Sequence, residues 1–219
     1  MRTLTLLIVF SLFICFHANS QKKWGINTGI NLSTTTGYQG LGIETGTLIS
    51  FRSSFFGMLP LHKSIYFNPS IGFSPKGIRL EKVNITDGEG NDLGNATLAR
   101  RLNYLQLSLP FAYKLPMGKK TYGFAGIDPY LAYAISGANS VSNFAPFEPG
   151  TPKPASESIN FKQANLNRFD AGIALHFSFV FSQHWCAGAN VDFGLSKINS
   201  LGSIVAHNQN VGITVGYIF

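Results

Sequence analysis

From Trp24 onward, apolar and small or polar side chains alternate with a period of two, the signature of strands with unlike faces. Trp24, Ile26, Thr28, Ile30 and Leu32 alternate with Gly25, Asn27, Gly29 and Asn31. The pattern is weaker from Ile43 to Phe51, then clear from Ile65 to Phe73, which sets Tyr66, Asn68, Ser70 and Gly72 on the other face. Leu105 to Leu115 opposes Gln106, Ser108, Pro110, Ala112 and Lys114. Tyr122 to Ile135 predicts a strand of ambiguous face, bulged near Asp128 and Pro129. The last three are the cleanest. Phe169 to Phe181 opposes Asp170, Gly172, Ala174, His176 and Ser178. Trp185 to Leu195 opposes Cys186, Gly188, Asn190, Asp192, Gly194 and Ser196, and Val211 to Phe219 closes the series. The count is eight strands.

Alternation alone does not say which face is outside, because a soluble ligand-binding barrel alternates too. The smaller-residue face carries Gly, Ala, Ser and Asn with few charges, a poor water-facing surface but a good lining for a narrow interior. The aromatic and branched face then turns outward to lipid, with Trp24, Tyr113, Tyr122, Trp185 and Tyr217 near strand ends, where interface girdles belong. Linkers alternate in length. Those at 33–42, 81–99, 137–165 and 197–209 are long and polar, those at 117–120 and 182–184 are short, and 53–63 is an apolar exception. Long extracellular loops and short periplasmic turns are the habit of membrane barrels, and with the N-terminus expected on the periplasmic side the parity works for eight strands.

Composition sharpens this. Only 12% of residues are charged, about half the usual share, while 45% are hydrophobic and Gly (23) and Phe (19) are abundant. No stretch after the N-terminus approaches a membrane-spanning helix. A closed barrel satisfies every backbone hydrogen bond in hydrocarbon without one. The predicted fold class is therefore all-β, an eight-stranded antiparallel transmembrane up-and-down β-barrel of the outer membrane.

Residues 1–20 read as a signal peptide: Arg2, an apolar run from Leu4 to Phe16, and Ala18-Asn19-Ser20 before cleavage at Gln21. Cys15 follows the bulky Ile14 and reads as a spectator. Residues 21–219 form one barrel domain whose single cysteine, Cys186, precludes an intrachain disulfide. The net charge of +7 becomes +6 on loss of Arg2. The basic pairs Lys22-Lys23, Arg100-Arg101 and Lys119-Lys120 are spread thinly, as expected of rim charges near anionic headgroups and not of a nucleic-acid footprint.

Several short patches carry a family likeness. They are Phe73-Ser74-Pro75-Lys76-Gly77, Leu102-Asn103-Tyr104-Leu105-Gln106-Leu107-Ser108-Leu109-Pro110, Asp128-Pro129-Tyr130-Leu131, Phe169-Asp170-Ala171-Gly172 and Gly216-Tyr217-Ile218-Phe219. In these the chain resembles the outer-membrane β-barrel domain family of Bacteroidetes, the group that includes PorT-like proteins, with Asp128 standing where the family has Gly. The resemblance implies a secretion-accessory, structural or surface-interaction role, and no catalytic residues come with it. By resemblance to other barrels, a last strand ending on Phe219 implies recognition by the barrel assembly machinery.

No cofactor, metal or nucleic-acid site is expected: HExxH and CxxC are missing, His62, His184 and His207 lack ligand spacing, and Gly123 to Gly126 has no helix after it. The expected partners are outer-membrane lipid and lipopolysaccharide. An envelope protein partner at loop 137–165, rich in proline between Ala145 and Pro154, is a further expectation. One catalytic alternative stands against the non-enzymatic reading. His176 and Ser178 share a strand face, and Asp192 falls diagonal to His176 if 182–184 is a hairpin turn, so a lipid A deacylase-like Ser–His–acid grouping is conceivable. Parity places the group on the interior face, away from lipid, and Asp170 is about 20 Å from His176 by strand rise. The expectation is a His hydrogen-bonded to Asn190 or Asp192 inside the barrel. The charges expected inward are Glu44, Arg52, Lys114, Asp170 and Asp192, paired or hydrated there.

Overall fold

The structure, a computed structural model, describes residues 22–37, 44–86, 89–90, 92–142, 155–198 and 205–219. The expected signal peptide and the proline-rich stretch from Ala145 to Pro154 lie outside them. The described chain is a single antiparallel sheet of twelve strands. These are β1 (Lys23–Thr36), β2 (Glu44–Gly46), β3 (Leu48–His62), β4 (Ile65–Phe67), β5 (Ser70–Thr86), β6 (Asp92–Ser108), β7 (Phe111–Pro116), β8 (Tyr122–Ser142), β9 (Ala155–Ser158), β10 (Phe169–Phe181), β11 (Trp185–Gly194) and β12 (His207–Ile218).

Twelve strands stand where the alternation predicts eight, and proline accounts for two of the extra breaks. A proline has no N–H to give the ladder. Pro69 separates β4 from β5, and Pro110 separates β6 from β7. Across the gaps, Gly57 N–H donates to Pro69 O (2.8 Å), Asn68 N–H to Pro110 O (2.9 Å) and Leu109 N–H to Pro129 O (2.9 Å). The breaks thus fall side by side on neighbouring strands. Of the others, β2 lies just before β3, and β9 pairs with β8 beyond the main ladder.

The hydrogen-bonded neighbours run β10–β11–β12–β1–β3–β5–β6–β8 and return to β10. The ring is uneven. β1 pairs with β3 from Lys23 to Ser33, whereas β3 pairs with β5 only over Ser53–Phe56 against Ser70–Phe73. Beyond that point β5 leans beneath β3 toward β1, where Asn31 Nδ2 donates to Pro75 O (2.8 Å). Residues 74–78 of β5 are consequently buried on both faces.

Large apolar residues point out. Ile26, Ile30, Phe51, Ile71, Leu107, Leu131, Phe177, Val191 and Ile213 are all exposed, while Asn31, Ser33, Gln106, Asn190, Asn208 and Asn210 are buried. In β8, Ile127, Leu131 and Tyr133 face out and Phe124, Tyr130, Ala132 and Ala134 face in, which resolves its ambiguous face. Its irregularity is not at Asp128–Pro129, where the register against β10 is unbroken. It lies where Asn103 and Tyr104 meet Ser136 and Ala134, so that Ile135 is the extra residue.

The apolar segment 53–63 is not a loop. It is the second half of β3, turning at Lys63–Ser64 into β4. This supplies the third short turn, on the same side as 117–121 and 182–184. On the other side the expected loops shrink, because β5 and β6 extend to Thr86 and back to Asp92, and β8 to Ser142. Phe219 N–H donates to Trp24 O (2.8 Å), so both ends of the barrel segment sit on the short-turn side.

Candidate functional site

Inside the ring three layers stack. On the long-loop side Leu102, Tyr104, Tyr130, Ala132 and Ala134 pack against Phe161, Leu166 and Ile198 from the connecting segments. Beneath them, Lys76 on β5 reaches across the bore to Asp170 on β10 (Nζ–Oδ2 3.0 Å), both side chains 0% exposed. Tyr130 lies under the ammonium, its ring centroid 3.9 Å from Nζ. The ring has space because residue 172 is glycine, where a Cβ would fall 2.6 Å from the Tyr130 hydroxyl. Asp170 also accepts from Ser196 Oγ (2.7 Å) and Asn208 Nδ2 (3.0 Å), so its desolvated charge is surrounded by donors.

The middle layer is polar. Arg52 on β3 donates from Nη1 to Asn190 Oδ1 (2.6 Å), and Asn190 Nδ2 donates in turn to Asp192 Oδ1. An amide thus bridges a guanidinium to a carboxylate. Gly212 makes room for this, since a Cβ there would lie 2.5 Å from both Arg52 Nη1 and Asn190 Oδ1. Asp128 accepts from Leu109 N–H (3.1 Å) beside the proline breaks. Arg52, Asn190, Asp128 and His176 line a cavity of about 80 Å³. Below it the third layer is apolar: Met58, Ala112, Phe124, Val180 and Ile218, with Tyr66 and Tyr122 against it.

The candidate triad is only partly assembled. The register places His176 opposite Asn190 as the hairpin at 182–184 predicts. The imidazole bonds neither Asn190 nor Asp192, contrary to expectation; its Nε2 meets Ser178 Oγ at 3.2 Å. Asp192 Oδ1 is held by Asn190. Ser178 and His176 are therefore neighbours without a carboxylate bonded to the imidazole, the orientation a general base needs.

Of the charges expected inward, Asp170 and Asp192 are buried, and Arg52 and Lys114 are partly so. Glu44 is not: it is 60% exposed and pairs with Lys82 at the rim (3.0 Å). Tyr122 does not join the girdle either. It turns into the mouth, under Lys114 Nζ (4.3 Å to the ring centroid) and against Phe124. The girdle on the short-turn side is instead Trp24 stacked on Phe55, and Trp185, Tyr217 and Phe219 edge to face. Lys76 and Asp128 are interior charges that the alternation did not single out. For Lys76 the signal existed, because the inward parity of Ser70 and Gly72 continues to Ser74 and Lys76.

Against this geometry, the outer membrane protein beta-barrel domain family matches residues 17–200. The chain belongs to that family. Among solved structures, this outer-membrane barrel protein is similar to Ail, the attachment invasion locus protein of Yersinia pestis, at 12% identity over 91% of this chain and 100% of that one, with a TM-score of 0.44. It is also similar to the outer membrane protein OprG of Pseudomonas aeruginosa, at 13% identity over 90% and 95% of the two chains, with a TM-score of 0.38. No curated protein matches it. An outer-membrane location and an apolar outward face agree, and the soluble periplasmic barrel gives way.

Proposed function

We propose that the twelve strands act as eight staves of one up-and-down transmembrane barrel, β2–β3, β4–β5, β6–β7 and β9–β10 each serving as one stave. This barrel is a non-conducting, non-enzymatic structural or interaction protein of the cell envelope. The observation that carries the reading is the filled bore. The Lys76–Asp170 pair with Tyr130, and the Phe124, Met58 and Ile218 layer, lie across it and leave about 80 Å³ between. A filled bore moves function to the rims. The PorT-like resemblance adds a secretion-accessory role within Bacteroidetes. Outer-membrane lipid and lipopolysaccharide contact the outward face. An envelope partner docks at loop 137–165, and the assembly machinery engages β12 with Phe219. Reconstitution in a planar bilayer tests the core of this: no conductance above the bare membrane is expected, and a steady open channel would overturn it. Chemical crosslinking in intact cells, with residues 143–154 deleted as control, tests the docking site.

The 3.2 Å contact between His176 and Ser178 favours one second reading, a lipid A deacylase-like activity. Incubation with lipopolysaccharide separates the two. Acyl release that Ser178→Ala abolishes would establish the enzyme, and none is expected from a site within the bore.

A further inference from the structure

The charges of this barrel are sorted by end. The segments that build the short-turn side, 22–28, 53–72, 108–127, 176–188 and 214–219, contain six lysines, Lys22, Lys23, Lys63, Lys114, Lys119 and Lys120, and no Asp or Glu side chain. The eight Asp and Glu among the described residues all belong to the bore or the long-loop side. Five of the lysines converge from three places in the fold on one concavity of about 690 Å³ at the mouth: Lys23 from the start of β1, Lys63 from the β3–β4 turn, and Lys114, Lys119 and Lys120 from β7 and its turn. Lys114 forms its floor. It points inward between the rings of Tyr122 and Tyr66 (4.3 and 5.5 Å to the centroids), and its backbone N–H is tied to Ser64 O (2.7 Å). No ion pair among the described residues engages any of these lysines.

Cations lining one concavity repel one another unless an anion lies between them. Lysine without arginine favours a compact point-charge contact with phosphate over the forked pairing that carboxylates receive from guanidinium. We infer that the short-turn mouth is a binding site for a phosphate-bearing anion, with Lys114 as the floor contact and Lys23, Lys63, Lys119 and Lys120 as the rim. The phosphate comes either from a phospholipid headgroup of the facing leaflet or from a soluble polyphosphorylated compound.

The test uses the full barrel in nanodiscs of phosphatidylcholine, titrated calorimetrically with inorganic tripolyphosphate at low salt. Binding is expected, weakened about tenfold by Lys114→Met and similarly by the turn variant Lys119→Gln/Lys120→Gln. Lys162→Gln, at the opposite end, should leave it unchanged. The heat-dependent gel shift reports folding of each variant, and the turn variant keeps the test decisive if Lys114→Met does not fold. Repeating the titration with phosphatidylglycerol in the disc separates the sources: weaker apparent binding identifies the headgroup as competitor, and unchanged binding the soluble anion. Absence of tripolyphosphate binding to the unaltered barrel, equal loss in Lys162→Gln, or tighter binding of polyglutamate would overturn the inference.

Discussion

Replacing Lys76 by Met should measurably weaken the folded barrel although it retains the length and packing of the side chain. At 3.0 Å the Lys76–Asp170 attraction is gross about 5.5 kcal/mol for an effective dielectric of about 20. Part of it is returned on removing the lysine, because its own desolvation is relieved and Asp170 keeps the donors Ser196 and Asn208. A loss of about 3 kcal/mol remains, the low end for breaking a buried pair. Asp170→Leu should be worse, about 4 kcal/mol, since it strips three bonds and leaves an ammonium facing only aromatic rings. The double variant should cost no more than Asp170→Leu alone, a coupling of about 3 kcal/mol. Urea unfolding of the refolded barrel in micelles, followed by the fluorescence of Trp24 and Trp185, measures all four proteins. Lys76→Met within about 0.5 kcal/mol of the parent, or additive single costs, would refute the view that this pair locks the bore.

Other expectations are narrower. Ile213 is 64% exposed and about 13 Å up the strand from the Tyr217 girdle, so Ile213→Arg should cost about 2–4 kcal/mol in lipid vesicles; an unchanged unfolding midpoint would mean that this face does not meet hydrocarbon. Phe124→Ala empties the apolar layer against Tyr66 and Tyr122 and should cost about 3–5 kcal/mol in the same urea assay. A Cβ on Gly29 would meet Ile213 O and Thr214 Cα of the adjoining strand, backbone that cannot swing aside. Gly29→Ala should therefore lower stability by about 1–3 kcal/mol and reduce the heat-shifted band on gels.

Strands were legible where the two faces differ chemically. From Phe169 to Phe181 every outward residue but Ala171 is large and apolar, and the inward ones are mostly small or polar, so the period is plain. The second half of β3 hides because the lower bore is itself apolar: Phe56 and Met58 face in while Phe55 and Leu61 face out, and the contrast between faces disappears. The extensions of β5 and β6 hide for other reasons: Asp92 to Thr97 carries little periodicity, and Lys82 to Thr86, which does alternate, follows a register shift between Leu80 and Val83. Interior chemistry was read less well, since it depends on pairs drawn across the bore. Parity could place Lys76 inside, but nothing local says that Asp170, 94 residues away, is its partner. Nor does spacing reveal that Asn190 takes up both Arg52 and Asp192 and leaves His176 to Ser178.

The central claim is a barrel crossing the outer membrane with its short turns and both ends of the barrel segment on the periplasmic side. Single cysteines in a Cys186→Ser background test it most directly. Gln163→Cys, exposed on the long-loop side, should react with a membrane-impermeant maleimide in intact cells. Lys119→Cys, exposed in the β7–β8 turn, should react only after the outer membrane is permeabilised. Labelling of Lys119→Cys in intact cells, or protection of Gln163→Cys, would contradict the account.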